Sequence, residues 1–190
     1  MQHSFIADKT FEHKDYSNTR LVRADYENCV FSNCVFSEGY LDNQNFMECQ
    51  FLECNLTNAN IKRTIFKECV FEDCKLIGLR FEDCNDFLLS LEFINCDLGL
   101  ASFFKLSLKT TRFKDCKLIE TDFTETNLTA SLFSNCNMEK AIFQQSVLDK
   151  ANLTTAFNFN IDPQQNSLKK ARFSAQNLGG LLKKHDIVIT

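Results

Sequence analysis

The sequence is poor in the residues that punctuate ordinary chains: its 190 residues include five glycines, one proline and three histidines. So little glycine and proline argues against a fold of many distinct turns and fits one whose corners repeat instead of using special turns. His3, His13 and His185 lie at the two ends of the chain. No nucleophile pattern, glycine-rich phosphate loop or metal spacing accompanies them, which argues against an enzyme or a bound cofactor. Met1 to Lys14 mixes charges without an apolar stretch. Neither a secretion signal nor a membrane span is expected from it, and the chain reads as cytoplasmic.

What the sequence does have is a period. Thirty positions recur every five residues and all are large and apolar, from Ile6, Phe11, Tyr16 and Leu21 to Phe81, then from Leu88 to Leu153 after a shift of two. Five matches neither the helical nor the strand period, so a repeat architecture remains. Four such units, each turning one corner, close a square coil of twenty residues. Sorted by twenty, Phe31, Phe51, Phe71, Phe93, Phe113 and Phe133 fall on one wall, and Leu88 is expected to join Phe66 and Leu108 on another. The expected fold is all-β, a right-handed quadrilateral parallel β-helix over residues 1–160 with a short helical cap over 161–190.

The ten cysteines support the same coil length. Cys29, Cys49 and Cys69 are spaced by twenty, as are Cys34, Cys54 and Cys74, and then Cys96, Cys116 and Cys136. The step from Cys74 to Cys96 is twenty-two, which places one insertion within 82–92. All ten occupy the small position two residues before the large one, Cys84 in the first register. They are therefore read as free, buried, small apolar residues and not as disulfides or zinc ligands, since four-residue gaps put successive thiols on adjacent walls.

The unit appears as Cys29-Val30-Phe31-Ser32-Asn33, Ala59-Asn60-Ile61-Lys62-Arg63, Thr121-Asp122-Phe123-Thr124-Glu125 and Ala151-Asn152-Leu153-Thr154-Thr155. It resembles the pentapeptide-repeat family, whose unit reads A(D/N)Lxx, over about residues 4 to 160. The tail from Ile161 through Ala171-Arg172-Phe173 to Ile189 resembles that of the Qnr and McbG type within the family. That resemblance implies a DNA-mimicking binder of type II topoisomerases (DNA gyrase or topoisomerase IV), and resistance or immunity to a poison of those enzymes. Qnr proteins carry two sizeable loops, whereas this chain has only two extra residues near Asp86 to Leu89. The other reading is an interaction scaffold with a different protein partner.

Charge is unevenly spread. Residues 1 to 100 hold seventeen acids and nine bases, whereas 101 to 190 hold eight and twelve. Asp25, Glu27, Glu38, Asp42, Glu48 and Glu53 form a stretch without a base, and Glu48 over Glu68 and Glu53 over Asp73 are expected to stack on successive coils. Stacked carboxylates repel, so these eight are candidate partner-binding residues, the alternative being a solvated face rich in corner residues. The basic stretch Lys105 to Lys117 is interrupted by Asp115 and points to different walls, so direct nucleic-acid binding is not expected. In the tail, Ser174 reads as a helix N-cap, with Leu178, Leu181 and Leu182 on one helical face and Ile187 and Ile189 as an apolar edge. Together these five suggest a homodimer joined through the cap.

Overall fold

The computed structural model describes residues 4–188, and the chain winds into a parallel β-solenoid of about eight turns. Two walls carry the strands. On the first, β1 (Ser4–Ala7), β3 (Ala24–Glu27), β5 (Asn45–Met47) and β7 (Ile65–Lys67) form a four-stranded sheet. The second carries β2 (Thr10–Glu12), β4 (Val30–Ser32), β6 (Gln50–Leu52), β8 (Cys69–Glu72), β9 (Leu91–Ile94), β10 (Arg112–Lys114), β11 (Leu132–Ser134), β12 (Asn152–Leu153) and β13 (Arg172–Phe173). Coils are numbered one to nine by these second-wall strands. Pairing is parallel and advances by twenty residues, as in Phe31 beside Phe51 and Phe113 beside Phe133. The third and fourth walls turn more tightly, with bonds such as Gly39 N to Phe36 O at 2.9 Å and Thr64 N to Ile61 O at 3.0 Å.

The large residues fill the interior. Phe31, Phe51, Phe71, Phe93, Phe113 and Phe133 have no accessible surface. Phe11 and these six stack with ring centroids 4.8–5.6 Å apart, a spacing set by the strands themselves. A second aromatic stack meets the first edge-on. It runs on the first wall as Tyr26, Phe46 and Phe66, then passes to the fourth wall as Phe81, Phe103, Phe123 and Phe143.

That change of wall coincides with the insertion. Ile65 still pairs with Asn85 twenty residues on, but Cys69 pairs with Leu91 twenty-two residues on. The extra residues are extruded, leaving Phe87 68% and Leu88 56% exposed. Leu88 is thus not an inward residue: it has φ 62° and faces solvent, while Leu89 leans on the core in its place. An expelled pair of residues leaves every other inter-coil bond in register; a buried pair would break the ladder.

The corners also differ from expectation. Among the described residues, twenty-eight non-glycine residues have φ between 49° and 62°. Special turns are therefore present, but Asn, Asp, Glu and Lys adopt them in place of glycine. Each such residue carries a conformational cost of about 1 kcal/mol or more. For most of them the cost is offset because the N–H donates to the next coil, as from Asn33 to Leu52 O (2.9 Å), Glu53 to Glu72 O (2.9 Å) and Asp73 to Ile94 O (3.0 Å).

The parallel ladder includes Arg172–Phe173, so the last coil extends past residue 160. Beyond it lie two 3₁₀ segments, Ala175–Leu181 and Lys183–His185, where an amphipathic helix was expected. Ser174 makes no side-chain cap bond, and its hydroxyl is buried without a partner in the structure. Leu181 packs against the core, whereas Leu178 (44%) and Leu182 (36%) are exposed, so the three do not act as one buried face. A 3₁₀ segment repeats every three residues, which separates 182 from 181. Gly180 explains part of this geometry: a Cβ there would lie 2.3 Å from the Phe159 ring and 2.7 Å from the Phe159 carbonyl oxygen.

Two outcomes check this packing. Phe113→Asp buries an unpaired charge and is expected to unfold the rod or lower its thermal midpoint by well over 10 °C, while Lys114→Asp, one residue on and exposed, leaves it within a few degrees, both read by circular dichroism. Gly180→Ala should loosen the cap at a cost of about 1–3 kcal/mol, measurable by denaturant melts and by faster amide exchange of Ile161, whose N–H donates to Gly180 O at 3.0 Å.

Candidate interaction surfaces

The solenoid turns its thiols inward. All ten cysteines are free and buried. They are more than small apolar filler, because nine of the ten thiols donate to a carbonyl one coil back, for example Cys54 to Phe31 O at 3.2 Å and Cys116 to Phe93 O at 3.5 Å. Thr64, Thr121, Thr126, Ser131 and Ser146 make the same bond from the same position, at 2.5–2.9 Å. Sequence reasoning missed this donor role. The signal was the exchange of Cys with Thr and Ser at one position, which an apolar filler would not require. No group of three or more His, Cys, Asp or Glu among the described residues is placed to hold a metal ion.

Burial pushes the Cys49 thiol up to about 11 and that of Cys84 to about 12, because a thiolate there would lose its hydration. A raised folded value means that these thiols contribute stability fully below their ordinary value near 9.0, which is lost as pH rises through 11 to 12. Native protein at pH 8 should therefore resist alkylation at most of its ten cysteines and react at all ten in denaturant, and its melting temperature should fall between about pH 9 and 12. Rapid native labelling would refute the packing role.

The outer surface carries the remaining candidates, and the structure divides the eight acids. Asp25 and Glu27 lie on the first wall, where Asn45 donates to the Asp25 carboxylate. Glu38 sits at the corner after the third wall, and Asp42 lies on the fourth, 3.3 Å from Arg20. Glu48 and Glu68 occupy successive coils of the corner that enters the second wall; Glu53 and Asp73 occupy the corner that leaves it. These four alone frame a common face. Glu68 has Lys67 at 4.0 Å and Asp73 accepts from Asn95, while Glu48 and Glu53 form no ion pair among the described residues. Glu72 and Glu92, absent from the sequence-derived set, complete the face from strands β8 and β9. They were missed because the base-free stretch drew attention to sequence neighbours, whereas the face collects every twentieth residue. Between the acids lie the half-buried side chains of Leu52, Val70 and Ile94.

Past coil five the same wall changes sign. Arg112 and Lys114 project from β10, Lys150 and Lys170 take the entering corner, and Arg172 lies on β13. Two family descriptions match this repeat: "Pentapeptide repeat region" over residues 88–173 and "Pentapeptide repeats (8 copies)" over 49–85. Together they cover more than half of the chain. The chain belongs to the pentapeptide-repeat family. No curated protein matches the sequence. Solved pentapeptide-repeat structures do resemble it. A trypsin-treated variant of QnrB1, described as a plasmid-mediated fluoroquinolone resistance protein, aligns with TM-score 0.64 and 18% identity, covering 99% of both chains. Full-length QnrB1 aligns with TM-score 0.55 and 20% identity, covering 95% of this chain and 99% of that one. At such identity the likeness carries the fold.

Within this family fold, the tail residues stand at the far end. Ile187 is 55% exposed and Val188 87%; Ile189 lies outside the described residues. Lys184 Nζ, 2.7 Å from Asp162 Oδ1, pins the cap to the last coil and holds that carboxyl below its usual range. No helix among the described residues is long and apolar enough to cross a membrane.

Proposed function

We propose that this pentapeptide-repeat protein is a non-enzymatic, DNA-mimic-like binder of a type II topoisomerase, DNA gyrase or topoisomerase IV, that acts against a poison of that enzyme. The observation that carries the reading is the double row of carboxylates on the second wall, Glu48 with Glu68 and Glu53 with Asp73. Two rows repeating at about 4.8 Å give one charge per roughly 2.4 Å of rod, against about 1.7 Å on duplex DNA. Over coils three and four the wall therefore approaches the charge density of a duplex, which suits a basic saddle built for DNA. The likeness of this chain to QnrB1, described as a plasmid-mediated fluoroquinolone resistance protein, supports the choice of enzyme class. Exposed Leu178, Leu182 and Ile187 favour a homodimer joined through the cap, and a cytoplasmic setting follows from such a partner.

A second reading, a scaffold for some other protein, is favoured by the basic side chains Arg112, Lys114, Lys150, Lys170 and Arg172 on the same wall, which duplex mimicry does not call for.

Gyrase supercoiling and drug-induced cleavage, titrated with the purified protein, decide between them. Inhibition or drug protection at micromolar protein is expected, weakening with salt as the screening length shortens to about 10 Å at 0.1 M. Glu53→Lys with Asp73→Lys should weaken it tenfold or more, and Asp42→Lys, on the fourth wall beside Arg20, should not. No effect on either reaction at tens of micromolar leaves the scaffold reading. Deleting residues 174–190 should convert a dimer to a monomer by light scattering.

A further inference from the structure

The acidic and basic parts of the second wall are arranged so that the wall complements itself. We propose that it docks against the same wall of a second copy of this chain, with the two rods antiparallel and the two-fold axis lying along the strands between coils five and six. This contact is separate from the cap and goes beyond the topoisomerase reading, although it covers the same carboxylates.

The register of the coils dictates who meets whom. A two-fold axis along the strand direction keeps each residue column facing its own equivalent and pairs coil five with six, four with seven, three with eight and two with nine. Glu92 of one copy then faces Arg112 of the other. Within each copy these two are 3.6 Å apart, so four charges of alternating sign surround the axis. One step out, Val70 faces Leu132, and both are half-buried apolar side chains on strands β8 and β11. Further out, Glu48 on its corner faces Lys150 on the same corner, and Gln50 faces Asn152. The uncompensated members of the wall fall opposite neutral groups: Glu53 opposite Thr155, Glu68 opposite Ala130, Glu72 opposite Ser134, Asp73 opposite Asn135, Lys114 opposite Ile94, Asp115 opposite Asn95, Lys170 opposite Asn28 and Arg172 opposite Val30. No like charges meet in this register.

The competing arrangement fails on the same accounting. Parallel rods would set coil against equal coil and exchange the two corners, bringing Glu48 onto Glu53 and Glu68 onto Asp73. Like-charge contacts of that kind are strongly disfavoured when they are withdrawn from water. The seven steps between coils two and nine make a paired wall about 34 Å long, and its three-residue strands make it about 10 Å wide, so the flat contact is smaller than a standard specific interface and belongs with weak, transient ones. The association is thus reversible and depends on charge, not on a large apolar core.

Sedimentation velocity on the full chain tests it. Whatever state the cap sets at about 500 mM salt, the mass is expected at least to double at about 50 mM salt and tens of micromolar protein, because a cap dimer would carry two free walls. Glu92→Lys alone and Arg112→Glu alone each surround the axis with four like charges and should raise the apparent Kd at least tenfold. An equimolar mixture of the two variants should regain the doubled species, because each then faces its opposite charge, a rescue that a folding defect would not give. Glu48→Lys mixed with Lys150→Glu provides the same check farther from the axis. The proposal is overturned if the wild type shows no salt-dependent doubling at about 100 μM, if doubling survives Glu92→Lys unchanged, or if the mixtures fail to recover it.

Discussion

Every other feature of this protein depends on the hydrogen-bonded ladder that pairs residues twenty apart in the chain. Because each coil donates to and accepts from its neighbours, the inward column of one coil fixes the inward column of the next, and the walls extend without a separate specification for each strand. The aromatic stacks follow from that spacing: rings 4.8–5.6 Å apart along the second wall are held there by strands about 4.8 Å apart. The same constraint explains why Phe87 and Leu88 face solvent. Two apolar side chains in water disturb the fold less than a ladder shifted by two residues.

The ladder also determines what the corners and the small position must be. Turning a right angle every five residues requires left-handed backbone, and the inter-coil bond from most corner N–H groups makes that conformation acceptable for Glu53 or Lys150 as well as for Asn33. Inside, the thiol or hydroxyl two residues before each large side chain reaches back to a carbonyl of the preceding coil, joining layers that stacked rings alone would leave to dispersion forces.

The repeat length, the identity of the core residues and the place of the insertion could all be read from the sequence, since each is a matter of period and the period is imposed by the ladder. What could not be read depends on direction. Leu88 and Leu89 are equivalent to any count of apolar residues, and only the path of the extruded turn determines which one faces inward. Ser174 has the right identity for a helix cap, but the tail winds as 3₁₀ with Gly180 pressed against Phe159, a contact between residues twenty-one apart. The candidate surface was half legible. Glu48, Glu53, Glu68 and Asp73 follow from the coil length, while Asp25, Glu27, Glu38 and Asp42 are close in sequence and spread over other walls. Glu72 and Glu92 were overlooked for the converse reason, being neighbours only through the sheet.

The two ends of the rod are unequal, and this gives the molecule a polarity in time as well as in space. Ile6, Phe11 and Tyr16 in the first coil are only partly covered, whereas the last coil is closed by Leu181 and tied down through Lys184 and Asp162. In a stack whose layers touch only their neighbours, opening begins at the layer whose inward side chains are least covered. The chain should therefore breathe from its amino-terminal coils, peeling layer by layer while the closed end persists as a template on which the lost coils can rewind.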